Sequence, residues 1–195
     1  MIMKKLILFA IAALVLTACG NKTNGAAADA DSTQVSEVPE TLNSVEAVVN
    51  QVDAVYDYLD EMRQNYKEGM PSLDERFATR EWQQVLKEVQ DVDAECECGG
   101  FFDFGDEGPL DPWTYDCYEG RVSANSVKVE LLPDGTADVR FLVKDAVTIK
   151  GFPMRWLMRV EDGQWRVADI FFENNGGLDL LAEMKSYVTN KTFED

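Results

Sequence analysis

Met154 to Phe172 reads MRWLMRVEDGQWRVADIFF, two runs that alternate apolar with polar residues on either side of Asp162-Gly163. Successive side chains of a strand point to opposite faces, so this alternation predicts two strands, Met154 to Glu161 and Trp165 to Phe172. Asp-Gly between them is a two-residue hairpin signal. Working outward, the same period occurs in Val127 to Leu131 and Ala137 to Asp145, joined by Pro133-Asp134-Gly135, and four antiparallel strands are predicted. Val127, Val129, Leu131, Val139, Phe141, Val143, Met154, Trp156, Met158, Val160, Trp165, Val167 and Phe171 fall on one face, the expected core. The other face carries Lys128, Glu130, Asp138, Arg140, Lys144, Arg155, Arg159, Glu161 and Arg166. It is net basic, and is read either as a solvated face or as a strip meeting an acidic surface. Asp145 and Asp169 fall in phase with the apolar face. A half-buried carboxylate has its pKa raised and can act as a base or hold a ligand's donor, whereas bonds to backbone amides would make it structural.

Upstream of the sheet the period is helical. Val45, Val48, Val49, Val52, Val55, Leu59 and Met62 recur at spacings of three and four after Asn43 and Glu46, a start resembling a capping box. Gly69 and Pro71 end that helix. Ser72-Leu73-Asp74-Glu75 opens a second helix, with a re-start near Thr79 that carries Trp82, Val85, Leu86 and Val89. After the strands, Asn174-Asn175-Gly176-Gly177 precedes a short helix over Leu178, Leu180, Leu181 and Met184. The expected fold class is α+β: N-terminal helices packed on a four-stranded antiparallel sheet, with a short C-terminal helix.

Between helices and strands, residues 88–120 read as an acidic loop. No basic residue occurs from Glu88 to Gly120, while glycine, proline and aromatics are frequent, which predicts a loop folded over an apolar site. Asp111, Trp113, Tyr115 and Tyr118 are candidate contact residues there, with Trp113 equally suited to anchoring the loop in the core. Cys96, Cys98 and Cys117 also lie there. One disulfide from Cys117 to either Cys96 or Cys98 would close a loop of about twenty residues, worth ~3 kcal/mol if unstrained.

The chain begins with Lys4-Lys5, an apolar run from Leu6 to Leu16, and Leu16-Thr17-Ala18-Cys19. This pattern predicts an export signal over residues 1–18. A finished membrane span needs about 20 apolar residues, so the run is expected to be processed. The Leu-Thr-Ala-Cys ending resembles the bacterial lipobox, which implies lipidation of Cys19. Residues 19–42 are small and polar and read as a flexible tether, with a reach of roughly 25 Å for twenty residues. The domain is expected from residue 43 to 195. Gly20 resembles lipoproteins sorted to the outer membrane.

The segment Gly163-Gln164-Trp165-Arg166-Val167, late in a run of strands that follows helices, resembles the nuclear-transport-factor-2-like superfamily. More narrowly, the chain is similar to Bacteroidetes lipoproteins of unknown function with such a domain. The resemblance spans about residues 43 to 188 and implies a cone, a curved sheet wrapping helices around a pocket. Ketosteroid-isomerase-like members of the superfamily use an aspartate base and an oxyanion hole of tyrosine and protonated aspartic acid. Tyr56, Tyr58 and Tyr66 all lie on the first helix, and none matches that tyrosine.

Composition narrows the chemistry. With 36 acidic against 18 basic residues and a net charge of −18, nucleic acid is excluded as a partner. Anionic lipid would also repel the chain, so membrane attachment is expected through the lipid on Cys19. The absence of histidine removes Ser-His-Asp and Cys-His catalysis and histidine metal motifs. Asp91-x-Asp93-x-Glu95 begins like a calcium loop but has Cys96 where the turn needs glycine and Phe102 where the bidentate glutamate belongs, so no metal or cofactor is assigned. The expectation is a lipid-anchored envelope module binding a small apolar ligand or a protein. The alternatives are a small enzyme using Asp145 or Asp169, and an acidic, immunity-like inhibitor that blocks a basic site.

Overall fold

Ser44, not Asn43, begins the first helix, because Asn43 is held in a preceding turn by its bond to the Pro39 carbonyl. The Ser44 hydroxyl accepts from the Ala47 amide at 3.1 Å, and α1 then runs Val45–Asn65. The structure is a computed structural model, and it describes residues 38–95, 100–102, 111–114, 120–123, 125–144, 151–172 and 177–190. Cys19 and the signal peptide, Cys96, Cys98, Cys117, Tyr115, Tyr118 and Asp145 lie outside the described residues.

The buried face of α1 is Val48, Val52, Val55, Tyr56, Tyr58 and Leu59, while Val45 is exposed. After the turn at Gly69, whose φ is +86°, α2 (Leu73–Phe77) opens with the expected capping box of Ser72 and Glu75. Thr79 caps α3 (Arg80–Glu95), which buries Trp82, Val85, Val89 and Val92. Glu88, Asp91, Asp93 and Glu95 therefore belong to a helix, and the acidic loop is shorter than the expected 88–120. The helical period of Val85, Val89 and Val92 runs through that segment beside its carboxylates.

The sheet is antiparallel and has six strands among the described residues: β1 (Arg121–Val122), β2 (Lys128–Leu131), β3 (Thr136–Lys144), β4 (Phe152–Glu161), β5 (Gln164–Phe172) and β6 (Leu178–Asp179). The order is β1-β3-β4-β5-β6, with β2 also on β3. The four longer strands match the expected ones to within two residues. The extra two have two residues each, too short to show a period. Asp162 and Gly163 both have positive φ, as a type I′ hairpin requires, and Gly135 does the same work at +83°. α4 (Leu180–Asn190) follows β6 directly and packs on α3.

The faces of the sheet follow the expected alternation until the register between β4 and β5 shifts. Met158 pairs with Val167, but Leu157 pairs with Asp169, so Ala168 is the extra residue of a bulge. A one-residue slip moves every later side chain to the opposite face. Ile170 and Phe172 thus enter the core at 0% exposure, and Phe171, expected there, lies on the other face beneath the Arg155 guanidinium at 4.5 Å. Asp169 moves with it. Two segments outside the sheet are also tied to this core. Val38 and Leu42 pack against it, and the Trp165 indole donates to the Leu42 carbonyl at 2.9 Å, so domain contacts reach back into the expected tether. Phe101 is buried beside Tyr187, and Asp93 fastens both by accepting from the Phe101 amide (3.1 Å) and the Tyr187 hydroxyl (2.7 Å). A Cβ on Gly100 would stand 3.1 Å from Asp93 Oδ2, which favours glycine at this close approach.

Candidate functional site

The end of α1, the turn that follows it, the start of α2 and the outer face of α3 enclose a groove of about 850 Å³. Met62, Tyr66, Met70 and Leu86 form its apolar walls. Arg80, Gln83, Gln84, Lys87 and Gln90 recur at helical spacing and carry the polar rim along α3. The Gly69-Met70-Pro71 turn folds the chain back so that Ser72, Asp74 and Glu75 close the base.

Asp74 joins this groove to the core. Its Oδ1 accepts two indole N–H groups, from Trp82 at 2.8 Å and Trp113 at 3.1 Å. Burial pushes the Asp74 carboxyl above the usual carboxylate range, with the charge of Asp111 adding to the rise and the two indoles opposing it. Gln83 Nε2 donates to the Asp74 and Ala78 carbonyls, each at 3.0 Å, and so satisfies the end of α2. The rim cations are engaged on the outside: Arg80 bonds Asp162 at 2.6 Å and Lys87 bonds Asp91 at 2.9 Å.

Behind Asp74, the space between α1 and the sheet is occupied by rings. Tyr56 stacks on Trp156 with centroids 6.0 Å apart, while Trp113 and Phe141 meet Trp156 edge-on at 5.5 and 4.8 Å. The Tyr56 hydroxyl donates to the Trp113 carbonyl at 2.8 Å, and Tyr58 donates to the Pro71 carbonyl at 2.7 Å. The Trp156 indole N–H is buried with no acceptor among the described residues, a cost of about 1–3 kcal/mol. Three ring pairs, each worth ~0.5–1.5 kcal/mol, offset it.

Trp113, a candidate contact residue, is therefore corrected to an anchor: it is only 3% exposed and both its indole and its carbonyl are bonded inward. Asp111 positions it, accepting from the Trp113 amide at 2.9 Å and the Thr114 hydroxyl at 2.8 Å. Asp169 is corrected too. The bulge takes it off the core face, where the start of α4 covers it, and its Oδ1 accepts from the Ile170 and Leu181 amides at 2.7 and 3.0 Å. Burial pushes its carboxyl to about 7, and a hydrogen bond with Asp179 adds to the rise. Asp179 in turn accepts from the Ala182 amide at 2.8 Å. The pair caps the start of α4.

The basic strip is largely neutralised from within. Burial of Asp138 opposes its ionisation, but Arg155 at 2.6 Å and Arg140 at 3.1 Å hold its carboxyl below the usual range. Arg159 and Lys185 share Glu81, and Arg166 donates to the Arg76 carbonyl at 2.8 Å. The structure thus gives Asp111 and Trp113 a shared structural duty and Asp169 another. It assembles a site from Tyr66, Met70, Asp74, Leu86 and Gln90, of which the sequence pointed to Tyr66 only as a tyrosine of the first helix, whose cap it is, and to Leu86 only as an apolar residue of the helix near Thr79. Asp74 read only as part of a helix start, and its tryptophan partners stand 8 and 39 residues away. The one local signal is Leu86, an apolar residue beside the buried stripe of α3.

Set against known proteins, the chain matches no family model, no curated protein and no solved structure. Among the described residues, no helix is long and apolar enough to cross a membrane.

Proposed function

We propose that this protein is a lipid-anchored binding module of the cell envelope, built on a nuclear-transport-factor-2-like cone and held to its membrane through Cys19. The observation that carries the binding part is the groove of about 850 Å³, a size typical of ligand sites, in which Met62, Tyr66, Met70 and Leu86 supply apolar surface among eight polar or charged lining residues. Tyr66 is 69% exposed at its edge, and exposed aromatics are favoured contact residues. The anchor rests on the Leu16-Thr17-Ala18-Cys19 ending and on the acidic composition, which leaves acyl chains as the means of attachment. The cone rests on the order of elements, helices before an antiparallel sheet.

Two measurements test the reading. Cys19→Ser moves the protein from the membrane to the soluble fraction and abolishes incorporation of labelled palmitate; unchanged fractionation defeats the anchor. A photo-crosslinking amino acid at Gln90, in the groove, gives adducts in living cells, and one at exposed Glu130 gives none. Equal or absent crosslinking at the two positions defeats the groove as the binding surface.

A further inference from the structure

At the base of the groove the unmet capacity is mainly that of the Asp74 and Glu75 carboxylates, while Tyr66, Gln90 and the remaining N–H groups of Arg80 and Lys87 offer donors around the rim. Asp74 Oδ1 is taken by two indoles, and Oδ2, which can only accept, has no side-chain donor among the described residues. Gln83 spends its amide N–H groups on backbone carbonyls and keeps its oxygen. Arg80 and Lys87 lie on the rim, where each makes an exposed ion pair, with Asp162 and Asp91, that draws its head group away from the base. A ligand suited to this base must bring donors, and a cation meets a mostly buried carboxylate better than a neutral donor does. The net charge of −18 adds a second, independent preference of the same sign, since it draws cations from a distance and repels anions.

Resting on the binding reading above, we infer that the groove docks a basic segment of a partner protein, with a lysine or arginine head group on Asp74 Oδ2. The neighbouring residues of that segment lie against Met62, Tyr66, Met70 and Leu86. A peptide fits better than a free amine because those four side chains present apolar surface with no use for a small hydrophilic cation. It fits better than lipid because the charge of the whole chain opposes an anionic surface.

The probe is acetyl-Leu-Arg-Leu-amide, titrated into the soluble Cys19→Ser protein while the indole N–H resonances of Trp82 and Trp113 are followed by NMR. The isosteric peptide with citrulline in place of arginine serves as the uncharged control. The arginine peptide is expected to shift both indole signals, to bind about tenfold or more tightly than the citrulline peptide, and to weaken as salt is raised. Asp74→Asn abolishes that preference. Because Asp74→Asn can also loosen the two tryptophans, the second variant is Gln84→Lys with Gln90→Lys, two exposed positions where added charge repels the probe and leaves the core alone. Equal affinity for both peptides, binding unaffected by either variant, or preferential uptake of phosphatidylglycerol vesicles overturns the inference. No binding of the arginine peptide alongside persistent crosslinks at Gln90 overturns it as well while leaving the module standing; loss of those crosslinks removes the module itself.

Discussion

Asp169 shows how a carboxylate can be kept without being put to chemical use. Its carboxyl titrates at about 7 against an ordinary 3.8, so the fold prefers the protonated form. The stability this confers is complete below about pH 4 and is lost as pH rises through 7, since the ionised form must be held beside Asp179. Asp169→Asn keeps an acceptor for the Ile170 and Leu181 amides and supplies a permanent donor to Asp179. The variant should equal the wild type in urea denaturation at pH 4 and exceed it by about 1–3 kcal/mol at pH 8. Parallel stability curves would show that Asp169 does not titrate in this range. Asp138 behaves in the opposite sense, its two arginines favouring the ionised form, and its contribution is lost as pH falls.

The element that most changes the reading is β5. Its sequence alternates through Val167, and extending that alternation places Phe171 and Asp169 inward. The bulge at Ala168 reverses the phase, so that Ile170 and Phe172 reach the core and Asp169 reaches the start of α4. Deleting Ala168 removes the extra residue and lets ordinary alternation run from Val167, inward, through Asp169, outward, to Ile170 and Phe172, inward, so every later side chain keeps its face. The deletion variant should retain a cooperative thermal transition by circular dichroism. Loss of that transition would show that the bulge itself, and not only the facing of the later side chains, is required. Helix starts were more legible, because capping is local: Ser72 and Glu75 act as the sequence predicts, and α1 begins only one residue from its expected cap.

At the scale of the molecule, Val35–Asp195 form one compact unit, and its N-terminal edge includes residues that composition assigned to the tether. Val38 and Leu42 cover part of the core, and the Leu42 carbonyl takes the Trp165 indole. A chain starting at Asn43 should lose about 1–3 kcal/mol relative to one starting at Val35, measured by chemical denaturation. Equal stability would show that this cover contributes nothing. The sequence by itself determined the α+β class, the four long strands, the hairpins and the helix starts, because periodicity, turn residues and caps act over a few neighbouring positions. Its acidity and lack of histidine also bounded the chemistry before any contact was known. The tertiary structure alone decided where the groove lies, since Asp74, Trp82 and Trp113 meet only after α2, α3 and the following loop have packed. It alone decided the fate of Asp169 and Trp113 as well. A bulge and a buried indole bond depend on what a residue meets across the fold, and the one mark left in the local pattern is Asp169 falling in phase with the apolar face while Ile170 and Phe172 fall out of it.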